Sequence, residues 1–174
     1  MAKVCVFLAE GFEEVEGLTV VDLLRRAGEE VLMVSIGTSL EVTGSHGIKV
    51  SADRLFEEGD YSDADMLVLP GGMPGTLHLG EHKGLTELLI KFNEADKKIA
   101  AICAAPGVFG ANGILKGRKA TCYPGCEEKL KGAVLSEEAV VRDKNVTTSR
   151  GVGTAIAFAL ELISQLEGEV KAHQ

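Results

Sequence analysis

Short apolar runs alternate along this chain with stretches of helical periodicity, and few architectures accept that order. Lys3-Val4-Cys5-Val6-Phe7-Leu8 carries no polar alternation, as expected of a strand buried on both faces. A helical stretch follows to Ala27, with Gly28 as its stop. Val31–Ile36 and Asp65–Leu69 read as further buried strands, the second ending at Pro70-Gly71-Gly72. Between them, Leu40–Val50 places Gly44 and Gly47 among β-prone residues and predicts a hairpin excursion. An amphipathic helix over Gly84–Lys97 leads into a strand at Lys98–Ile102. A helix from Cys103 to about Ala111 is stopped by Gly113, and short strands fit Ala120–Cys122, Val140–Val141 and Val146–Thr147. Thr154–Leu166 is an apolar closing helix. Strand and helix units in alternation, joined by short connections, predict an α/β fold with a mostly parallel sheet covered on both faces.

The 174 residues are 45% hydrophobic, enough to bury roughly two-thirds of the unfolded surface of one domain spanning residues 1–174. No apolar run approaches the ~20 residues of a membrane span. The start, "MAKVCVFLAEGFEE", lacks a signal-peptide layout, so a cytoplasmic location is expected. A net charge of −8 disfavours nucleic-acid binding, which needs a basic face to release counterions. Cys5, Cys103, Cys122 and Cys126 form no paired C-x-x-C zinc pattern, and a disulfide framework is not expected in that compartment.

The most informative segment is "KKIAAICAAPGVFGANGIL". Apolar residues lead into Cys103, two alanines follow, and Pro106 suits the first turn of a helix. Cys103 is thereby placed at a strand-to-helix elbow resembling that of hydrolases, with Cys in place of Ser. An unperturbed thiol of pKa ~8.5 is only about 3% thiolate at neutral pH, and a helix N-terminus with oriented N–H groups can bring the value below 7. The residues alone leave a reactive thiol and a buried structural cysteine equally open.

Gly71 and Gly72 let backbone N–H groups approach a ligand, and beside Cys103 they can form an oxyanion hole with the N–H of Ala104. On the first helix, the buried stripe of Val20, Leu23, Leu24 and Ala27 runs back through Glu16 and Glu13, while Glu14 points elsewhere. One of Glu13 and Glu16 caps the helix or is held in a site, and periodicity does not choose. His78 and His82 are four apart but lack an evident third ligand, so no metal is expected. Cys122 and Cys126 read as bystanders, with a resolving thiol for Cys103 as the alternative.

"LAEGFEEVE", "LLRRAG", "LVLPGG", "IAAICAAP" and "TSRGVGTA", in this order from Val4 to about Leu166, resemble the DJ-1/PfpI (ThiJ-like) superfamily, specifically its DJ-1-like branch. The resemblance implies a flavodoxin-like three-layer sandwich, usually dimeric. It implies that Cys103 is the reactive thiol, Glu16 its neighbouring carboxyl, and Gly72 and Ala104 the N–H donors. Many relatives carry His where this chain has Tyr123, and a phenol is a donor but a poor base at neutral pH. Ala104 stands where the protease-like branch has His, which disfavours a peptidase. His46 aligns with a basic residue that often crosses the dimer interface. The implied activity is a cofactor-independent glyoxalase or deglycase acting on a small α-oxoaldehyde such as methylglyoxal, or on early glycation adducts. The rival is a redox-responsive, chaperone-like stress protein with an oxidisable cysteine.

Overall fold

The computed structural model describes all 174 residues. The chain begins β1 (Lys3–Leu8), α1 (Glu14–Arg26), β2 (Glu30–Ser35), β3 (Glu41–Thr43), β4 (Lys49–Ser51) and β5 (Arg54–Leu55). It continues with β6 (Met66–Leu69), α2 (Gly75–Glu81), α3 (Lys83–Glu94), β7 (Lys98–Ile102) and α4 (Pro106–Ala111). The last third holds β8 (Lys119–Ala120), β9 (Val134–Leu135), β10 (Val140–Asp143), β11 (Val146–Ser149), α5 (Ala155–Glu167) and α6 (Glu169–Ala172).

Seven strands form one sheet in the order β10-β11-β7-β6-β1-β2-β5. Every pairing is parallel except β10 with β11. Strand alternation divides the core in two. Cys5, Phe7, Leu67, Leu69, Ile99 and Ala101 pack with Leu85 and Leu89 of α3 and Phe109 of α4. Val4, Val6, Leu8, Met66, Val68, Ala100 and Ile102 pack with Val20 and Leu24 of α1 and Phe158 and Leu162 of α5. The result is the expected three-layer sandwich. No helix is long and apolar enough to cross a membrane.

The hairpin excursion exists as the antiparallel pair β3–β4. The strand expected at Ala120–Cys122 is shorter: only Lys119–Ala120 pairs, in parallel with β9 and outside the main sheet. From β1 the chain moves outward to β2, then crosses back so that β6 lies on the other side of β1. That reversal opens a crevice at the carboxyl ends of β1 and β6, where ligands bind in sheets of this kind.

Candidate active site

Along β7 the side chains alternate between the two cores, Ile99 and Ala101 on one face, Ala100 and Ile102 on the other. Continued alternation would send Cys103 toward α3 and α4. Instead Cys103 has φ +67, and its side chain packs on the α1–α5 side of the sheet. A non-glycine residue held there stores on the order of 1–3 kcal/mol of strain, which the surroundings must over-determine. They do so through its backbone. Its N–H donates to the Ser149 carbonyl at 3.0 Å, and its carbonyl accepts from the Tyr123 N–H at 2.8 Å. The N–H groups of Ala104 and Gly72 donate to its sulfur. Pro106 opens α4 as expected.

Gly71 is required by space. A Cβ there would sit 2.5 Å from the Cys103 Cβ, 2.7 Å from Glu16 Oε1 and 2.8 Å from the Ile102 carbonyl. Gly72, at φ +94, lies so close to Phe12 and Glu13 that a Cβ would fall 2.4 Å from the Glu13 nitrogen. The glycines thus let the end of β6 and the start of α1 close around the thiol.

The three glutamates at the start of α1 take separate roles. Glu13 is the N-cap, its carboxylate accepting from the Val15 N–H at 2.7 Å. Glu16, one turn on, is fully buried. Its Oε1 accepts from the Gly71 N–H at 3.0 Å, and its carboxyl lies within hydrogen-bonding range of the Cys103 sulfur. Its Oε2 has no nitrogen or oxygen partner and faces the crevice near Gly151. Glu14 leaves the stripe of Glu13 and Glu16, as expected, and finds a second cover. It is buried under the β3–β4 hairpin, accepting from the N–H groups of His46 at 2.8 Å and Ile48 at 3.2 Å and pairing with the His46 ring at 3.0 Å.

The helix start after Cys103 does little to lower the thiol. α4 has only six residues, so its dipole is weak. Burial, then the charge and hydrogen bond of Glu16, push Cys103 up to about 12, against the Ala104 and Gly72 donors. Burial likewise pushes Glu16 up to about 7, opposed by its hydrogen bonds with Cys103 and Gly71. Ionising both would set two like charges within hydrogen-bonding range of each other, so near neutrality the pair keeps one proton. In the singly ionised pair the remaining proton is shared between carboxyl and sulfur. When it sits on Glu16, the thiolate has two N–H donors and one carboxyl donor around it.

Glu13, Glu16, Gly72, Cys103, Tyr123, Pro124 and residues 150–154 line a cleft of about 470 Å³. A cleft of similar size, about 480 Å³, lies at the amino ends of the strands beside Met1, Ala2 and Lys98, and it contains no thiol. Cys103, Glu16, Gly72 and Tyr123 therefore meet in one cleft, with the Ala104 N–H beside the sulfur. Tyr123 is the outermost, half exposed at the cleft wall. Arg150, Gly151 and Thr154 escaped residue-by-residue reasoning, although the "TSRGVGTA" motif contains them. Thr154 Oγ1 ties this wall together by hydrogen bonds with the Gly151 N–H at 3.0 Å and with Ser149 Oγ at 2.7 Å.

The other candidates lie apart. His82 caps α3, its Nδ1 accepting from the Leu85 N–H at 3.0 Å, while His78 faces Glu81 at 3.8 Å. Glu13, Glu14 and His46 bring ligand atoms within 4.8 Å of one another, but these groups are engaged in the cap and hairpin bonds just described. Cys122 and Cys126 pack into the α3–α4 core, across the sheet from the Cys103 sulfur.

The model of the DJ-1/PfpI family matches residues 2–165. DJ-1 homolog A of Arabidopsis thaliana is 42% identical over 173 residues, 99% of this chain and 44% of the relative. The chain thus spans less than half the length of that plant protein. A deglycase of Pyrococcus abyssi is 34% identical over 168 residues, covering 95% of this chain and 99% of its own. Among solved structures, oxidized DJ-1 of Toxoplasma gondii superposes with a TM-score of 0.96 at 36% identity, covering 99% of this chain and 95% of the other.

Proposed function

The chain belongs to the DJ-1/PfpI family, and from that premise we propose that it is a cofactor-independent, glutathione-independent glyoxalase of deglycase type, acting on methylglyoxal or a related α-oxoaldehyde. The observation that carries this reading is the pairing of a strained, donor-ringed Cys103 with a buried Glu16 whose proton is exchangeable near neutrality. The deglycase name of the Pyrococcus relative supports the same class of chemistry.

The Cys103 thiolate adds to the aldehyde carbon, and the oxygen that becomes negative is met by the N–H groups of Gly72 and Ala104. Protonation of that oxygen gives a hemithioacetal. Glu16 then takes the proton from the former aldehyde carbon and returns it to the neighbouring carbonyl carbon through an enediol. The first carbon is oxidised and the second reduced, so no external redox partner is needed. Water hydrolyses the resulting thioester to a 2-hydroxy acid and frees the thiol. Tyr123 donates a hydrogen bond to a substrate carbonyl at the cleft wall. A hemithioacetal or hemiaminal formed by a glycated thiol or amine enters the same sequence after releasing its aldehyde. A cytoplasmic location and a homodimer built partly on α1 complete the proposal.

The deciding assay is lactate release from methylglyoxal in the absence of glutathione. Saturable turnover, abolished in Cys103→Ala, is expected. Stoichiometric modification of Cys103 without turnover would overturn the enzyme reading.

A further inference from the structure

Cys122 and Cys126 bracket Tyr123-Pro124-Gly125, the segment that forms one wall of the cleft. The turn is closed by the Cys126 N–H, which donates to the Tyr123 carbonyl at 2.9 Å. The same N–H lies against the Cys122 sulfur as a donor. Gly125, at φ +100, allows the chain to reverse so sharply. Both side chains enter the same core, Cys122 fully buried and Cys126 partly so. The two sulfurs thus belong to one five-residue turn and enter one core. Cys103 faces the opposite core.

We propose that Cys122 and Cys126 are a dithiol modification site that closes to an intraloop disulfide under peroxide, independently of Cys103. The more exposed Cys126 thiol is oxidised first: peroxide transfers one oxygen, giving a sulfenic acid and water. The Cys122 sulfur then attacks the Cys126 sulfur, loses its proton and expels a second water as the S–S bond forms. The net change is two thiols and one peroxide to one disulfide and two waters. A dithiol reductant reverses it. The bond would pin the loop whose Tyr123 N–H holds the Cys103 carbonyl, coupling the oxidation state of one core to the cleft on the other. Burial raises both thiols, Cys122 to about 11. Sustained peroxide rather than a brief pulse is therefore the closing condition.

The test is non-reducing peptide mapping of the intact protein after sustained hydrogen peroxide and alkylation of the remaining thiols. Tryptic cleavage after Lys119 and Lys129 releases both cysteines in one peptide, which should be lighter by about 2 Da when the disulfide has formed. The shift is expected in the natural sequence and in Cys103→Ala, and it should vanish in Cys126→Ser. A disulfide joining Cys103 to either cysteine overturns the proposal. So does finding Cys122 and Cys126 both still alkylatable once Cys103 is fully oxidised. The readout is a mass, so it stands apart from whether the protein turns over an oxoaldehyde.

Discussion

Glu16→Gln leaves an amide donor beside the Cys103 sulfur and removes the exchangeable acid. Turnover of methylglyoxal should fall by at least ~100-fold, the scale of acid–base catalysis, while iodoacetamide still labels Cys103 first among the four cysteines. Equal loss of labelling and turnover would show that Glu16 only shapes the pocket. The same residue sets the expected pH profile. Because burial raises Glu16 to about 7, the natural protein should gain methylglyoxal turnover as pH rises through that value. Glu16→Gln should lose this limb of the kcat profile. Glu13→Gln is the contrast, since it keeps an oxygen acceptor for the Val15 N–H and touches no proposed proton path. It should stay within a few-fold of the natural turnover, as expected where a cap is preserved. Tyr123→Phe keeps the ring against Gly151 and loses one hydroxyl, so about 10-fold is the upper bound, the worth of one hydrogen bond.

The turn after β6 and the hairpin over α1 are the elements that hold these residues in place. Gly71→Ala would drive a methyl group between Cys103 and Glu16. A loss of stability of about 1–3 kcal/mol is expected from overpacking, with thiol labelling and turnover disturbed together. The hairpin is fixed by Glu14. Although burial works against its charge, the bonds from the His46 ring and from the His46 and Ile48 N–H groups hold it down at about 2. A lowered carboxyl stabilises the fold above its ordinary range, and that contribution is lost as pH falls through about 2. Glu14→Gln should therefore cost about 1.5–3 kcal/mol near neutrality, the range for hydrogen bonds to a charged group. The gap in urea midpoint between variant and natural protein should close toward pH 2. Glu14 also marks where sequence reading ran out. One-face periodicity takes it off the buried stripe without saying what it meets, because the start of α1 is covered from a second side by β3–β4 and helical spacing carries no sign of a distant hairpin. The main strands and α1, α3 and α5 were legible because each carries a long apolar pattern. α2, with two glycines in seven residues, and β5 and β9, two residues each, are made by tertiary contacts and left no pattern to read. The elbow at Cys103 was legible from Pro106 and the flanking alanines. Its left-handed backbone, which moves the thiol from one core to the other, was not.

At the scale of the molecule, the outer face of α1 remains without a partner inside the chain. Val15 is 47% exposed on it, and Ile48, whose N–H is tied to Glu14, is 51% exposed beside it. Next along the helix, Leu18, Val21, Asp22, Arg25 and Arg26 line a shallow cleft with Met33. An apolar strip of this kind, rimmed by charges of both signs, suits a two-fold contact in which each Asp22 meets an arginine of the other copy. The net charge of −8 opposes association only weakly, because charges more than about 8 Å apart are screened at physiological salt. A second copy on α1 would also bear on the helix that carries Glu16, stiffening the carboxyl against the thiol. Sedimentation at micromolar concentration should then give twice the 18.4 kDa chain mass, and Val15→Asp should return it to one chain. If the dimer stiffens the site, the separated variant should keep its unfolding midpoint within about 0.5 kcal/mol, as surface substitutions do, yet lose turnover. A single 18.4 kDa species from the natural sequence would remove the dimer. A dimer that survives Val15→Asp would move it to another face.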